Sequence, residues 1–260
     1  MKRPKVSIEN YDQVYSYFEQ YRQPVRTTKL AYAVMDRVFH PTVLLAPGVD
    51  QELDDFRQND TRQFMVFNHL SNKVDQFVAA SIVRRIVPED VGRTRVIAKD
   101  SVFNDPRYPR SFAEAMGTIP AFRTVDHGDK VPSQLVQRAA TRLGECVNYL
   151  LTDGQNIASY QEGTNNKGER DPHTIGDIKP GIWHLTHQTV ADGTPLALTF
   201  IGSSYGWTHD TLNPRDAISV VGNSVPITED LSIDDLVAIT SEGLQSAVTA
   251  AANARYISER

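Results

Sequence analysis

Phe64-Met65-Val66-Phe67-Asn68-His69-Leu70-Ser71-Asn72-Lys73-Val74-Asp75 joins an apolar run to a polar turn, and the run reads as a strand that ends at a histidine. Similar β-type runs recur at 63–67, 95–98, 157–161, 196–201 and 217–221, with helix-periodic segments between them. That alternation predicts an α/β fold, a central mixed or largely parallel sheet flanked by helices on both faces. One helix opens at Pro132-Ser133, aligns Leu135, Ala139, Leu143, Cys146 or Val147, and Leu150, and stops at Gly154. A final helix is expected over 232–256. Near the start, Leu30, Val34 and Val38 recur at four-residue spacing, which predicts a helix ending before Pro41 with those three as its buried stripe. The expected division is a helical extension over 1–50 and an α/β domain over 51–260.

Composition limits the possible functions. The chain has 260 residues, 40% of them hydrophobic and 23% charged, enough to bury a full core. No run approaches the roughly 18 apolar residues of a membrane span, and Met1-Lys2-Arg3-Pro4-Lys5 leads into polar sequence. A soluble or peripheral protein is expected. Cys146 is the lone cysteine, which excludes an intramolecular disulfide and a cysteine zinc site and suits the cytoplasm; on its helix face it reads as a small core residue. A net charge of −5 argues against nucleic acid as a partner. The first 40 residues nevertheless hold seven basic side chains against four acidic ones, interleaved with Tyr15, Tyr17, Phe18 and Tyr21. Such a segment suits either the anionic headgroups on the inner face of a membrane or a helical hairpin packed on the core.

Three places carry chemistry. A histidine at a strand's C-terminal edge faces the crevice where α/β folds take ligands. A carboxylate on one ring nitrogen would fix the tautomer and stabilise the cation formed when the other takes a hydroxyl proton, which makes His69 a candidate general base and Asp75 its orienter. Six helical residues turn the two side chains about 120° apart, so part of 70–73 must be non-helical for them to meet. The same residues also suit a helix start, with Asn72 as cap and Asp75 against the dipole. The turn Tyr160-Gln161-Glu162-Gly163-Thr164-Asn165-Asn166-Lys167-Gly168 offers close backbone approach and phosphate donors, and is equally an ordinary polar loop. Arg123, just past Gly117-Thr118-Ile119-Pro120-Ala121-Phe122, has the fork that grips a phosphate, or is a surface arginine.

The order of these blocks resembles the glycerolipid acyltransferases, the family of lysophosphatidate and glycerol-3-phosphate acyltransferases. The blocks are Asn68-His69-Leu70-Ser71 with Asp75, Gly117-Thr118-Ile119 with Arg123, Glu162-Gly163-Thr164, and Thr194-Pro195-Leu196, spanning about 63–201. The resemblance implies that His69 deprotonates an acceptor hydroxyl with Asp75 as its partner, and that Arg123, Glu162, Gly163 and Thr164 bind a glycerol phosphate. Lys99 stands where the family often has a lysine, and Pro195 matches the block linked to the acyl donor. The implied partners are an acyl thioester donor, acyl-CoA or acyl carrier protein, and a glycerol-phosphate or lysophospholipid acceptor; no metal or other cofactor is called for. The sequence departs from the pattern in placing five residues instead of four between His69 and Asp75, and in Phe122, Gln161 and Asn165, where aspartate, proline and arginine are usual. Lys167 or Arg170 can replace the missing charge. An acyltransferase-like lipid-binding or scaffold protein with a drifted catalytic pair is the alternative.

Two rivals have less support. Gly202-Ser203-Ser204-Tyr205-Gly206 has the form of a hydrolase nucleophile elbow at Ser204, but Asn213-Pro214 follows where a helix is required, and no acid separates Ser204 from the last histidine, His209. His184 and His187 lie three apart without a third metal ligand at a clear spacing.

Overall fold

Alternation along one strand settles how the sheet is covered. The computed structural model describes residues 2–71, 74–106, 109–127, 131–162, 172–208 and 211–259. In strand β2 (Arg62–Phe67), Phe64 and Val66 enter one apolar core while Met65 and Phe67 enter a second. Successive side chains of a strand point to opposite faces, so four successive apolar residues, Phe64 to Phe67, must be buried on both.

The first core is closed by helices α1 (Tyr11–Gln20), α7 (Ser133–Thr152) and α9 (Ile233–Ser258). The second is closed by α2 (Val25–Phe39), α3 (Val49–Gln58) and α4 (Asp75–Ile86). Between them, strands β4 (Thr118–Ala121), β3 (Thr94–Lys99), β5 (Asn156–Ser159), β2 and β6 (Leu196–Thr208) lie side by side and parallel. Strands β7 (Thr211–Val221) and β8 (Val225–Pro226) pair antiparallel to β6, and β1 (Thr42–Leu45) runs parallel to β7 at the far edge. The sheet is mixed and mostly parallel, with helices on both faces; the short helices α5 (Arg110–Ala115) and α6 (Thr124–His127) precede and follow β4.

Helix α7 begins at Ser133 behind Pro132, and α9 begins behind a capping box in which Ser232 and Asp235 satisfy each other's main-chain amides. Cys146 is fully buried in the first core, and burial pushes its thiol up to about 12.

Helix α2 departs from expectation in the face it buries, whereas α1 takes the core-packed alternative. Helix α2 turns Thr28, Tyr32 and Phe39 inward, whereas Leu30, Val34 and Val38 are 66%, 46% and 41% exposed. The inward face contains polar groups because carbonyls await them: Thr28 Oγ1 donates to Ala115 O at 3.0 Å and the Tyr32 hydroxyl to Met116 O at 3.4 Å. Tyr15 and Phe18 of α1 are fully buried, and the Tyr15 hydroxyl donates to Pro120 O, so these aromatics serve the core. Strand β1 lies in the sheet, and α1 and α2 pack in the two cores.

Candidate active site

Strand β2 stops pairing through its backbone at Phe67, opposite Ile201 of β6. Asn68 then extends the pairing with its side chain: Nδ2 donates to Ser203 O at 3.0 Å and Oδ1 accepts from Ser203 N at 2.8 Å. An amide side chain copies a peptide group's donor and acceptor. The ladder is thereby held while the main chain turns away, and His69 lies at the C-terminal edge of the parallel strands.

Two carboxylates fix His69. Its main-chain amide donates to Glu162 Oε1 at 2.8 Å, and Glu162 Oε2 accepts from Gly176 N at 2.6 Å. Its ring nitrogen Nδ1 is 2.6 Å from Oδ2 of Asp75, a buried carboxylate. That oxygen also accepts from the amides of Leu70 at 2.8 Å and Ser71 at 2.7 Å, while Oδ1 accepts the Tyr205 hydroxyl at 2.9 Å. Helix α4 begins only at Asp75, and Leu70, Ser71 and Val74 are non-helical, which meets the requirement set by the spacing. An ionised carboxylate only accepts, so Nδ1 carries the proton and Nε2 presents a lone pair. The arrangement can take a proton at Nε2 and stabilise the resulting imidazolium through Asp75.

The Tyr160 ring lies 4.9 Å from the His69 ring at 36°, and its buried hydroxyl has no hydrogen-bond partner among the described residues. Burial first, and then the Asp75 carboxylate, push the phenols of Tyr160 and Tyr205 well above their usual range. Both are neutral at physiological pH.

Three further residues of the sequence reading stand at the same edge, because each follows or closes a parallel strand. Glu162 follows β5, Lys99 ends β3, and Arg123 follows β4 with its Nε 2.6 Å from Asp126. At about 4.8 Å per strand, β3 lies about 10 Å and β4 about 14 Å from β2. Lys99 and Arg123 therefore lie on the same side of His69, beyond Glu162, with Arg123 paired to Asp126.

The sequence matches no family model and no curated protein. Among solved structures, the crystal structure of the 1-acyl-sn-glycerophosphate (LPA) acyltransferase PlsC from Thermotoga maritima aligns with a TM-score of 0.50 at 14% identity. The alignment covers 93% of this chain and 80% of that one. The chain has an α/β fold like that of PlsC. At this identity the likeness to PlsC is one of fold.

Within this PlsC-like fold, one residue of the sequence reading lies elsewhere. Pro195 precedes Leu196, which pairs with Arg62 at the start of β2, so it lies at the edge of the sheet opposite His69. Glu162, expected on the acceptor, accepts from the main-chain amides of His69 and Gly176. Asn72, Gly163, Thr164, Asn165, Lys167 and Arg170 lie outside the described residues. Ser204 is inside β6, with its hydroxyl accepting from Arg255 Nε at 3.1 Å, and strand rather than helix follows it. His184 and His187 share α8 (Gly181–Ala191), and no group of three metal-type ligands converges among the described residues.

Sequence reasoning missed Asn68 as a ladder extension and Tyr205 as a partner of Asp75. Asn68 had a signal, a polar amide directly between an apolar strand and a histidine. Tyr205, 130 positions from Asp75, had none.

Proposed function

We propose that this protein is an O-acyltransferase that moves a fatty-acyl group from a thioester donor to the hydroxyl of a glycerol-phosphate or lysophospholipid acceptor. The observation that carries this reading is the 2.6 Å contact between His69 Nδ1 and Asp75 Oδ2 at the C-terminal edge of a PlsC-like sheet. In this mechanism the acceptor hydroxyl gives its proton to Nε2 of His69 as its oxygen attacks the thioester carbonyl. The tetrahedral intermediate then collapses, the carbon–sulfur bond breaks, and the thiolate takes the proton back from Nε2. Asp75 stabilises the imidazolium between the two transfers. No covalent enzyme intermediate forms, and no cofactor beyond the donor, acyl-CoA or acyl carrier protein, takes part.

Lys99 and Arg123 suit the acceptor's phosphate, because a desolvated phosphate needs charged donors and both stand at the same sheet edge as His69, two and three strands away. The rival scaffold reading rested on the extra residue before Asp75. It loses that support, since the pair is in hydrogen-bond contact across five intervening residues.

The acceptor, if a lysophospholipid, resides in a membrane, and we place the lipid contact on α2. Its outward face carries Leu30, Val34 and Val38 beside the exposed Arg26, Lys29 and Arg37, the composition of an interfacial helix on anionic lipid. No helix of the described residues is long and apolar enough to cross a membrane.

The deciding experiment offers purified protein a panel of lyso-acceptors and glycerol phosphate with acyl-CoA and with acyl carrier protein thioesters, and identifies products by mass spectrometry. An acylated phosphate-bearing acceptor supports the reading. Absence of any His69-dependent product across the panel overturns it. Arg123→Ala should raise the KM of the acceptor and leave that of the donor nearly unchanged; an effect confined to the donor reverses the assignment.

A further inference from the structure

We propose that Tyr205 is a positioning residue for the His69–Asp75 pair, its hydroxyl on Oδ1 of Asp75 holding Oδ2 against Nδ1 of His69. The proposal deepens the general-base reading above and rests on it for its catalytic consequence. Its geometric part does not.

A carboxylate that swings about its last bond exchanges its two oxygens. Oδ2 of Asp75 is engaged by Nδ1 of His69 and by the amides of Leu70 and Ser71, all from the turn that precedes its own helix. Oδ1 takes its bond from a different element, the Tyr205 hydroxyl of β6 at 2.9 Å. Donors on both oxygens, from two directions, leave the group one orientation. Burying a hydroxyl costs free energy that a phenylalanine of the same shape would not, unless the bond is made. The buried Tyr205 side chain makes it, and its raised phenol keeps it a neutral donor across the working pH range.

Its own placement is built rather than incidental. Strand β6 continues past Ile201, the partner of the last β2 residue, so Tyr205 stands beyond the end of β2 and over the edge where His69 lies. The β6–β7 ladder shifts register between Tyr205 and Gly206, from Ala217 opposite the first to Asn213 opposite the second. Bulges of this kind re-aim side chains beside functional sites. Arg255 of α9 locks the irregularity, donating to Ser204 Oγ and O and, through Nη1, to Asp216 Oδ2 at 3.0 Å. Gly206 leaves the room: a Cβ there would come within 1.9 Å of Asp216 Oδ2.

Among the described residues, the groups that face this pair are Asp75 from α4, Tyr160 after β5 and Tyr205 from β6, with Glu162 on the main-chain amide of His69. Removing the Tyr205 hydroxyl withdraws one donor from the carboxylate. More negative charge then faces Nδ1, the protonated ring is favoured, and the acid limb of kcat/KM moves to higher pH.

The test is Tyr205→Phe in the full chain. Expected are a loss of about tenfold in kcat, KM values for donor and acceptor within about twofold of wild type, and the displaced acid limb. In an Asp75→Asn background the same substitution should cost little more, because residues acting through one another are not additive. A second readout needs no turnover: the His69 ring resonances, followed by NMR against pH, should titrate at higher pH in Tyr205→Phe than in wild type. Unchanged kcat with an unchanged pH profile, full additivity with Asp75→Asn, or identical ring titrations would each overturn the proposal. If the wild type acylates nothing, the acyltransfer reading falls, and the NMR titration still decides whether Tyr205 acts on the pair.

Discussion

Nδ1 of His69 and Oδ2 of Asp75 are 2.6 Å apart although six positions separate them in the chain, because the helix that carries Asp75 begins at that residue and not before. Had residues 69–75 formed one continuous helix, the two side chains would project about 120° apart. Removing the ring removes the proposed base. His69→Ala should lower acyl transfer at least about a hundredfold, within the roughly 10²- to 10⁴-fold range for a general base, while thermal unfolding stays near wild type. Asp75→Asn should also lower kcat strongly, since an amide lets Nδ1 lose its proton to the wrong tautomer. Turnover near wild type by either variant contradicts the mechanism.

Glu162 has two possible roles that kinetics can separate. As an acceptor ligand its loss raises the acceptor's KM. As the clamp seen here, accepting from the amides of His69 and Gly176, its loss disturbs the histidine's position and the fold. Glu162→Gln aims an amide donor at one of two main-chain donors, which costs about 1–3 kcal/mol for a buried mismatch. At about 2–4 °C per kcal/mol, Tm should fall by several degrees, with kcat reduced and the acceptor's KM little changed. A raised KM at unchanged Tm restores the acceptor role.

Much of this arrangement was legible in the sequence, and the exceptions share a cause. The strand at 62–67 and the helices over 133–152 and 233–258 follow from local pattern and capping, and the structure places them within a residue or two of expectation. Helix α2 was found but its buried face was not, because Leu30, Val34 and Val38 and the set Thr28, Tyr32 and Phe39 both satisfy helical spacing. What decides between them is the pair of carbonyls at Ala115 and Met116, far away in the chain. Strand β4 escaped notice because of Pro120, which a sheet tolerates on an edge strand such as this one. Tyr205 and the Glu162 clamp depend on contacts across 130 and 93 positions, and no local pattern records those.

Helix α9 packs on β6 with a closeness that only glycine permits. A Cβ at Gly202 would meet the carbonyl carbon of Ala247 and the nitrogen of Val248 at 2.2 Å, both backbone atoms that cannot rotate aside. Gly202→Ala must therefore push the helix off the sheet, at about 1–3 kcal/mol or more for overpacking. Gly48→Ala is the contrasting control, since a Cβ there meets nothing within 4 Å and the strain is that of φ +87° alone. Thermal melts should show the larger loss at Gly202; equal losses would mean that α9 shifts freely.

The membrane reading now rests on the outward face of α2 and no longer on the aromatic side chains of α1. Tyr15 and Phe18 are core residues, so deleting 1–26 would unfold the protein whether or not it binds lipid. Substituting the exposed stripe avoids that difficulty. Leu30, Val34 and Val38 contribute little to the core, so changing all three to Gln should leave Tm nearly unchanged. On anionic vesicles the stripe would bury apolar surface while Arg26, Lys29 and Arg37 each contribute about 1 kcal/mol. Screening shortens that attraction to about 8 Å at physiological ionic strength, so sedimentation with anionic vesicles should be strong at low salt and fall steeply by moderate salt. The triple variant should remain in the supernatant, and wild type should bind neutral vesicles weakly. Intact protein that stays in the supernatant with anionic vesicles at low salt, or a triple variant that sediments as wild type does, removes α2 as the lipid contact.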